Sequence, residues 1–434
     1  MKYCLFSWLL LVVVNSSSQT KIHVENTADV VRHDELVKIP RPMLEKKFGK
    51  SAGHGFFEIK LDGRVLPSQN IDEDGDGNWD TVVFLDNFKP RETKTYQATP
   101  TPAVSNTTSY AHARLKPKVA NDSFGPSVAS LQMPFQNPPN DFSKSPLPPY
   151  LTEGPALEND KNAFRLYFDT RNTQDIYGKR QPRLVMDSVG SNTRHSYHHL
   201  SDWGMDILHV EKSLGAGSLA LLTKDADGND TLVRLGGKDI VKETYKLLND
   251  GPIYASYQMD YLWKVSGTSV EVKEVMCIWK GQYFYESKVT MSRAPANSVL
   301  VAGIADFYQN KMDSIKEHAV TTLYSFGKQS ENKDELGLAV MAAGQDVAFL
   351  GDAPRSNSDV TCSHLLGEKI IQGKSNQFRF YSCWTMTNGQ IANSAAAFRD
   401  FLKNEMVKFS SPLRIFRPTS TNRRHFSPKT INGK

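Results

Sequence analysis

Runs of alternating apolar and polar residues, each about the length of a β-strand, limit what the second half of this chain can fold into. From residue 253 to residue 265 every odd position is apolar or aromatic, so these residues predict a strand with one buried face. Turn residues separate this run from others of the same kind, and so many half-buried strands predict a large antiparallel β-sandwich over residues 151–413. The other runs are Phe164–Arg171, Ser218–Lys224, Val270–Lys280, Phe284–Met291, Leu336–Met341 and Phe378–Thr385.

The residues on either side of this sandwich differ from it in composition. Residues 19–115 contain shorter alternating runs, such as Phe56–Leu61, separated by Gly, Asp and Pro, and they predict a small N-terminal β domain. Residues 116–150 contain eight prolines and no sustained period, which is typical of an extended linker. The basic segment 414–434 is rich in Ser, Thr, Arg and Asn, and we predict that it is disordered.

A single helix is predicted, from Ala395 to Phe409, near the end of the sandwich. Four apolar side chains recur at helical spacing on one face, and Asn393 is placed to cap the first turn. The helix is therefore expected to pack on the sandwich and to take no part in chemistry. The four apolar residues are Phe398, Phe401, Leu402 and Met406.

The N-terminus is typical of an exported protein. Lys2 precedes an apolar run from Leu5 to Val14, and a small polar stretch follows that run, so residues 1–18 are predicted to be a cleaved signal peptide. We therefore expect a periplasmic or secreted protein. The apolar run is too short to cross a bilayer, and no later stretch approaches the ~20 apolar residues of a membrane span, so no membrane insertion is predicted.

Cysteine content and charge argue against two further classes of protein. Removal of the signal leaves Cys277, Cys362 and Cys383, which are too few for a fold stapled by disulfides, although a bridge between Cys362 and Cys383 is one alternative. The net charge of +5 comes from the basic segment and Lys2, and the rest of the chain is slightly acidic. No nucleic-acid partner is therefore predicted.

Short motifs argue against several classes of enzyme. The segment from Ser213 to Ala220 matches a dinucleotide-binding glycine pattern, but it leads into a strand rather than opening a helix. A turn is the better interpretation, so no organic cofactor is predicted. The sequence also lacks the G-x-S-x-G elbow of serine hydrolases and the H-E-x-x-H helix of zinc proteases.

An Asp-rich loop, IDEDGDGNWD from Ile71 to Asp80, is a candidate metal site. Alternating carboxylates on a tight turn suit a hard cation such as Ca²⁺. The twelfth position of the loop is Val83, where an EF-hand has a bidentate Glu, and strands rather than helices flank it. We therefore predict a structural rather than a catalytic Ca²⁺, with a solvated Asp/Gly turn as the alternative. The four candidate ligands are Asp72, Asp74, Asp76 and Asp80.

The densest cluster of chemically active side chains is YHHLSDWGMD, residues 197–206. Histidine titrates near neutral pH, so His198 and His199 beside Tyr197 are candidates for general acid and base. Metal ligation by a histidine with Asp202 is the competing functional interpretation, and a structural histidine is the simpler one. On a strand the two histidines would face opposite sides, so only one would enter a given cleft. Trp203 is a candidate platform for a sugar.

A second candidate set lies upstream, in ENDKNAFRLYFDTRNTQDIYGK, residues 158–179. Within it, Arg and Tyr side chains alternate with other residues, so that they share one side of a predicted strand. Arginine binds a carboxylate through two parallel hydrogen bonds, and a tyrosine ring stacks on a sugar. Arg and Asp pairs on a solvated strand face are an equally good explanation. The candidate ligands of an anionic sugar are Arg165, Tyr167, Arg171 and Lys179, with Asp169 between them.

The two central motifs and the Asp-rich loop together resemble a known family. The motifs ALENDKNAFRLYFDTRNTQDIYGK and YHHLSDWGMDILHVEKSLGAGSLAL are similar to those of a family catalogued as a domain of unknown function, whose members lie in polysaccharide-utilisation loci of gut and marine bacteria. The resemblance covers most of the chain after the signal and ends at about Leu413. It implies a mutarotase-type β-sandwich, and one member of the family, from a marine ulvan locus, is an oligosaccharide dehydratase.

That resemblance implies loss of water from a non-reducing-end glucuronate or iduronate linked to rhamnose 3-sulfate, giving a 4,5-unsaturated uronate. The expected partner is an anionic, uronate-containing oligosaccharide, with or without sulfate. The reaction needs a cation at the carboxylate, a base at C5 and an acid at the leaving hydroxyl. By residue type, Arg165 or Arg171, His198 or His199, and Tyr197 fit these roles. A polysaccharide lyase, a metal-dependent glycoside hydrolase and a non-catalytic carbohydrate-binding protein are the alternatives.

Overall fold

The structure, a computed structural model, describes residues 19–49, 55–103, 108–225, 227–354, 358–387 and 391–417. The predicted signal peptide and residues 418–434 of the predicted basic tail lie outside the described residues. Antiparallel strands make up about half of the described chain and helices far less, so the fold is mostly β, as the sequence predicts. The strands are β1 (Thr20–Glu25), β2 (Arg32–Pro40), β3 (Phe56–Leu61), β4 (Arg64–Leu66), β5 (Ser68–Ile71), β6 (Thr81–Phe88), β7 (Thr93–Thr101), β8 (Ala111–Arg114), β9 (Lys118–Ala120), β10 (Ser123–Phe124), β11 (Ser130–Gln132), β12 (Ala156–Asn159), β13 (Asn162–Leu166), β14 (Gln174–Lys179), β15 (Gly204–Asp206), β16 (Ala216–Lys224), β17 (Asp230–Arg234), β18 (Ile240–Asp250), β19 (Tyr254–Val265), β20 (Thr268–Trp279), β21 (Phe284–Ser292), β22 (Val299–Ala305), β23 (Asp313–Glu317), β24 (Val320–Gly327), β25 (Leu336–Ala343), β26 (Val347–Asp352), β27 (Ser363–Lys369), β28 (Ser375–Trp384) and β29 (Arg414–Phe416).

Two small sheets form the N-terminal part of the molecule. One has the strand order β29-β1-β7-β3-β4 and the other the order β2-β6-β5. Their apolar faces enclose a core that includes Ile22, Val37 and Phe84. A short helix, α1 (Arg41–Phe48), follows β2 and buries only Leu44. The sequence analysis did not predict α1, because so few of its residues are apolar at helical spacing.

The larger part is a sandwich whose main layer is a nine-stranded sheet, ordered β11-β18-β19-β20-β21-β28-β25-β24-β23. Two five-stranded sheets complete it, ordered β15-β14-β13-β12-β8 and β17-β16-β22-β27-β26. One continuous core joins all three sheets through side chains such as Phe164 of β13, Tyr285 of β21 and Ile304 of β22. The alternation in β19 places Tyr257 and Trp263 in that core. The predicted antiparallel sandwich is confirmed.

The second helix, α2 (Ala395–Ser410), ends one residue beyond its predicted bound. Phe398, Leu402 and Met406 are fully buried in a cluster that includes side chains of β24, β25 and β28. The predicted cap is wrong by one residue, since the Ser394 hydroxyl rather than Asn393 accepts a hydrogen bond from the first turn. In the part of the chain that the structure describes, no helix is long and apolar enough to span a membrane.

Strand pairing differs from three of the predicted segment assignments. β8, which the sequence analysis placed in the small domain, pairs with β12 of the sandwich. β29 lies in the predicted disordered tail but pairs with β1. β11, within the predicted linker, pairs with β18 at the edge of the nine-stranded sheet. Backbone hydrogen bonds join each of these short strands to a strand far away in sequence, so no local sequence pattern predicts it. The division into domains itself remains a prediction.

The alternative of a Cys362–Cys383 bridge is wrong. Cys277, Cys362 and Cys383 are all free thiols. Cys383 is buried in β28 of the nine-stranded sheet, whereas Cys362 immediately precedes β27 of a different sheet. Because a disulfide requires its two Cα atoms to approach closely, cysteines on separate layers do not form one.

Candidate active site

A cavity of about 290 Å³ lies beside β14 and β15, where several loops of the sandwich meet. It brings together residues from both of the central sequence motifs. Tyr167 and Arg171 come from the turn after β13, Asp175 from β14, and His198 and Asp206 from the segment that ends in β15. Nothing in the spacing of these residues along the chain predicts that they meet.

The ring of Tyr167 lies between two guanidinium groups. The guanidinium carbon of Arg165 is 3.6 Å from the ring centroid and that of Arg171 is 3.5 Å from it. Both are in van der Waals contact with one ring, so they occupy its opposite faces. The predicted strand through Arg171 is wrong, because β13 ends at Leu166 and the chain turns back at Asn172, which has a positive φ of 41°.

Arg165 is fully buried, so its predicted contact with substrate does not fit the structure. Its Nη1 donates to Glu153 Oε2 at 3.0 Å and to the Thr152 carbonyl at 2.9 Å. Its Nη2 donates to Asp175 Oδ2 at 2.5 Å and lies 3.7 Å from Asp206 Oδ2. Arg165 therefore organises the carboxyl groups beneath the cavity. We call this group, Glu153, Arg165, Asp175 and Asp206, the Arg165 cluster.

The loop that supplies Glu153 is held in an uncommon conformation. Thr152 and Glu153 have φ values of 51° and 64°, which are costly for residues with a Cβ atom and most of all for β-branched threonine. Two buried arginines bind carbonyl groups of this loop: Arg114 at Leu151 (2.9 Å) and Arg165 at Thr152 (2.9 Å). This scaffold places the Glu153 carboxylate between two arginines, because its Oε1 accepts from Arg171 Nη2 at 2.6 Å.

Of the two arginines predicted to bind the substrate carboxylate, Arg171 is the one that lines the cavity. Its side chain is 31% accessible to solvent, and its Nε donates to Asp169 Oδ1 at 2.9 Å. The pairs with Asp169 and Glu153 fix the plane of the guanidinium group. Because Nε and Nη2 are engaged by these two carboxylates, Nη1 is the end of the guanidinium group that can meet a carboxylate ligand at the rim of the cavity.

Asp206 is a carboxyl group that the sequence analysis did not single out. Only 3% of it is exposed. Burial, and then the neighbouring Asp175 carboxylate, raise the pKa of Asp206 well above its ordinary value. Asp206 therefore holds a proton more tightly than an ordinary aspartate does. Its position inside YHHLSDWGMD was visible in the sequence, but its burial beside Asp175 was not.

His198 lies at the mouth of the cavity, with its Nδ1 3.5 Å from Asp206 Oδ2. Although 63% of its side chain is accessible to solvent, its ring packs on Tyr197 at 4.5 Å between centroids, and this partial burial lowers its pKa. The imidazole is therefore neutral at neutral pH and able to accept a proton. The tandem histidines lie in a turn rather than on a strand, and His199 is exposed and outside the cavity lining.

Two aromatic residues of the same motif form a layer behind the cavity. Trp203 stacks on Tyr177 with 6.2 Å between ring centroids, and Tyr197 packs on Tyr177 at 5.6 Å. The Tyr197 hydroxyl donates to Glu153 Oε2 at 3.4 Å. The sequence suggested that both Tyr197 and Trp203 contact the substrate. Neither belongs to the described lining of the cavity, so their positions do not fit that role.

Lys179 and Asp202 also lie away from the cavity lining. Lys179 is 1% exposed, and its ammonium group donates to Glu158 Oε2 at 2.8 Å. It is a buried, paired charge inside the sandwich, so the predicted role in substrate binding is wrong. Asp202 is exposed on the loop before β15.

The Asp-rich loop lies elsewhere, between β5 and β6. Asp72, Asp74 and Asp80 each offer a carboxylate oxygen, and these oxygens lie within 4.8 Å of one another, a spacing that one cation can bridge. Asp76 is outside that group and accepts a hydrogen bond from Asn78 N at 2.7 Å. The predicted ligand set is thus reduced from four to three, and the Ca²⁺ itself remains a prediction.

The model of a family described as a domain of unknown function, DUF4861, matches residues 24–415 of this sequence. The chain belongs to the DUF4861 family. The match includes both the N-terminal sheets and the sandwich, so the DUF4861 unit spans the whole described fold apart from its ends. Among curated proteins, none matches the sequence.

Two solved structures are distantly similar to this DUF4861 chain. They are an α-mannosidase from Enterococcus faecalis V583, with a TM-score of 0.44, and a protein in the glycosyl hydrolase family 38 from Enterococcus faecalis, with a TM-score of 0.47. Each is 8% identical to this chain, and each comparison covers 92% of it. The chain spans 46% and 47% of those two proteins, which is about half their length.

Proposed function

We propose that this protein is an oligosaccharide dehydratase that removes H5 and the 4-hydroxyl group from a non-reducing-end glucuronate or iduronate and leaves a 4,5-unsaturated uronate. The observation that supports it best is the cavity that an imidazole, His198, and a guanidinium group, Arg171, line together with the buried carboxyl group of Asp206. Proton abstraction next to a carboxylate needs both a cation and a neutral base. The sequence motifs that resemble a family of polysaccharide-utilisation loci add the substrate class.

In this proposal Arg171 binds the uronate carboxylate. Loss of H5 as a proton adds a second negative charge, which C5 and the carboxylate share in the enediolate. A fixed guanidinium group stabilises this dianion more than it stabilises the singly charged substrate. Asp169 and Glu153 hold the group in place on the Tyr167 ring. The arginine is thus already oriented before the substrate arrives, which lowers the cost of forming the enediolate.

His198 is the proposed base at C5. Its imidazole is partly exposed, as a group that must reach a substrate has to be. The Asp206 carboxyl group lies 3.5 Å from the imidazole, and burial beside Asp175 raises the pKa of that carboxyl group. The raised pKa favours the protonated form of Asp206, which repels an anionic sugar less than a carboxylate does.

We also propose the setting in which this activity operates. The substrate is an anionic, uronate-containing oligosaccharide met in the periplasm or outside the cell, and no organic cofactor takes part. Asp72, Asp74 and Asp80 are the proposed ligands of a structural Ca²⁺, remote from the chemistry.

The decisive experiment incubates the protein with saturated uronate oligosaccharides and follows the ultraviolet absorbance of the conjugated enol-ether acid. We expect the absorbance to rise, with a product lighter by one water and with no new reducing end. His198→Ala should lower kcat/KM by about 10²–10⁴-fold, the usual contribution of a positioned base. His199→Ala is the matched control, and its activity should stay near that of the wild type because it lies outside the cavity lining.

The other outcomes separate the rival functions. A new reducing end for each unsaturated product would show a polysaccharide lyase, and a cleaved product without unsaturation would show a hydrolase. The pH profile is a second readout, since burial lowers the pKa of His198 below 6.5. Protonation then removes the base as pH falls through that lowered value, so kcat/KM should decrease on the acid side and His198→Ala should lose this limb.

A further inference from the structure

A second histidine and two carboxylates line the same cavity and have no role in the proposal above. His209 Nδ1 lies 3.4 Å from Glu331 Oε1, and its Nε2 lies 3.5 Å from Glu211 Oε1. His209 and Glu211 follow β15, whereas Glu331 lies in the loop before β25. The cavity therefore holds two imidazoles, one beside the buried carboxyl group of Asp206 and the other between two carboxylates.

The surroundings of His209 hold it in a fixed orientation. The Phe307 ring packs edge-on against the imidazole, with 4.3 Å between centroids. The Glu331 carboxylate accepts a hydrogen bond from the Tyr308 hydroxyl, and the Glu331 backbone N donates to the Ile207 carbonyl at 2.9 Å. A packed ring and an anchored acceptor are what a residue needs to deliver a proton in one direction.

Glu331 is itself held by a chain of hydrogen bonds that reaches solvent. The exposed Lys333 donates to the Tyr308 hydroxyl at 2.9 Å, and that hydroxyl donates in turn to Glu331 Oε1, the oxygen that lies 3.4 Å from His209 Nδ1. The Glu331 carboxylate accepts in this chain, so it orients the imidazole rather than supplying a proton to it.

The proposed elimination lacks one group, the acid for the leaving hydroxyl. Hydroxide is a poor leaving group and has to be protonated as the C4–O bond breaks. Tyr197, the candidate by residue type, donates its hydroxyl proton to Glu153 outside the cavity lining. Asp206 is only 3% exposed. His209 is 34% exposed and lines the cavity.

We propose that His209 is the general acid of this elimination and that Glu331 is the positioning residue that orients it; this inference rests on the proposed dehydratase function. His198 takes H5 as a proton, and the electron pair of the C5–H bond moves into the carboxylate to give the enediolate. That pair then forms the C4=C5 double bond as the C4–O bond breaks, and the pair of the C4–O bond stays on oxygen, which takes a proton from His209 and leaves as water. His198 ends with one proton more and His209 with one fewer, and each returns to its starting state by exchange with solvent, to which both side chains are partly exposed.

The test separates proton removal from loss of the hydroxyl. His209→Gln and His198→Ala are each incubated with a saturated uronate oligosaccharide in D₂O, and deuterium at C5 is measured by mass spectrometry beside the ultraviolet absorbance. We expect H209Q to lose about 10²–10⁴-fold of its product formation while still exchanging H5 for deuterium. H198A should lose both. His195→Gln, an exposed histidine of the loop before β15, is the matched control and should behave as the wild type.

A substrate with a better leaving group gives the second arm. Fluoride needs little help from an acid, so a 4-deoxy-4-fluoro uronate should restore elimination by H209Q relative to the wild type, and should not restore H198A. Glu331→Gln should lower kcat for the natural substrate with little change in KM, because the carboxylate that holds the His209 ring is lost, and it should lower elimination from the 4-fluoro substrate much less. A purely structural Glu331 would lower the melting temperature and affect both substrates alike.

Three results would overturn the inference or its basis. Wild-type activity in H209Q would exclude His209 as the acid and leave the dehydratase standing. Loss of both deuterium exchange and elimination in a folded H209Q would make His209 the base instead. Absence of unsaturated product with the wild type itself would remove the proposed function on which the inference rests.

Discussion

The Asp-rich loop and the Arg165 cluster both gather carboxyl groups, but they are built in opposite ways. The loop takes its carboxylates from ten consecutive residues, and they remain partly or fully exposed. The cluster takes its members from four separate segments and buries all of them, with at most 7% of each exposed. Water screens the first group, whereas the second must be balanced by protein groups alone.

This difference decides what each region can do. In the loop, Asp72 accepts hydrogen bonds from the backbone N of Gly75 (2.6 Å) and of Gly77 (2.8 Å), so the turn is held largely by its own groups, with Asn249 of β18 bound to the backbone of Asp72 as its anchor on the sandwich. In the cluster, burial raises the pKa of Asp206. Arg165 lies within 4 Å of all three carboxyl groups there. Burial therefore creates acid–base chemistry that exposure would cancel, and it makes that chemistry depend on the whole fold.

The largest effect should come from Arg165→Ala. This change leaves Asp175 buried without its arginine and Glu153 with Arg171 alone, and breaking a buried ion pair from one side costs about 3–5 kcal/mol of folding free energy. Urea unfolding followed by fluorescence measures it. Arg194→Ala, an exposed arginine, is the control and should change stability by less than ~0.5 kcal/mol. If Arg165→Ala lowered the free energy of unfolding as little as Arg194→Ala does, the Arg165 cluster would not depend on buried ion pairs, which would contradict this comparison.

A smaller effect, and on activity rather than stability, is expected for Arg171→Gln. Loss of a hydrogen-bonded charge at the cavity rim should cost about 1.5–3 kcal/mol, which is roughly 10–100-fold in kcat/KM for a uronate substrate. The urea midpoint should move much less than for Arg165→Ala, since Arg171 is 31% exposed. Arg171→Lys should recover activity only in part, because an ammonium group lacks the planar fork. Full activity of Arg171→Gln would contradict the assigned carboxylate site.

The smallest effect is expected in the loop. Asp72→Asn replaces one of two accepting oxygens with a donor, so one of the hydrogen bonds from Gly75 and Gly77 is lost, at a cost of about 1 kcal/mol. Thermal melting with and without added Ca²⁺ tests whether the loop binds Ca²⁺. The wild type should melt at a higher temperature with Ca²⁺, Asp72→Asn should not respond, and Asp76→Asn should respond as the wild type does. If Ca²⁺ did not change the melting temperature of the wild type, the Ca²⁺ site would be contradicted and the loop would be a solvated Asp/Gly turn.

Local sequence patterns predicted the elements that each bury one face. The alternation in β19 and the stripe of Phe398, Leu402 and Met406 in α2 both recover the observed elements, because a period of 2.0 or 3.6 follows from local geometry alone. Short strands such as β8 and β29 were misassigned. They exist because a distant strand supplies their hydrogen bonds.

The same limit applies to the candidate site. Two of the residues chosen by type, His198 and Arg171, do line the cavity, because histidine and arginine are the residue types that this kind of chemistry uses. Arg165 and Lys179 are of equally suitable types but are buried and paired. His209 and Glu331 were missed, since neither stands in a cluster along the chain.

The sequence by itself therefore determined the antiparallel β architecture, the C-terminal helix and the chemical types from which a uronate site can be built. Only the tertiary structure decided which of these side chains are exposed, which are neutral and which meet. The physical reason is that strand and helix periods are local properties of the backbone. Burial and electrostatic neighbours depend instead on contacts between segments far apart in sequence, such as Glu153 with Arg171 and His209 with Glu331.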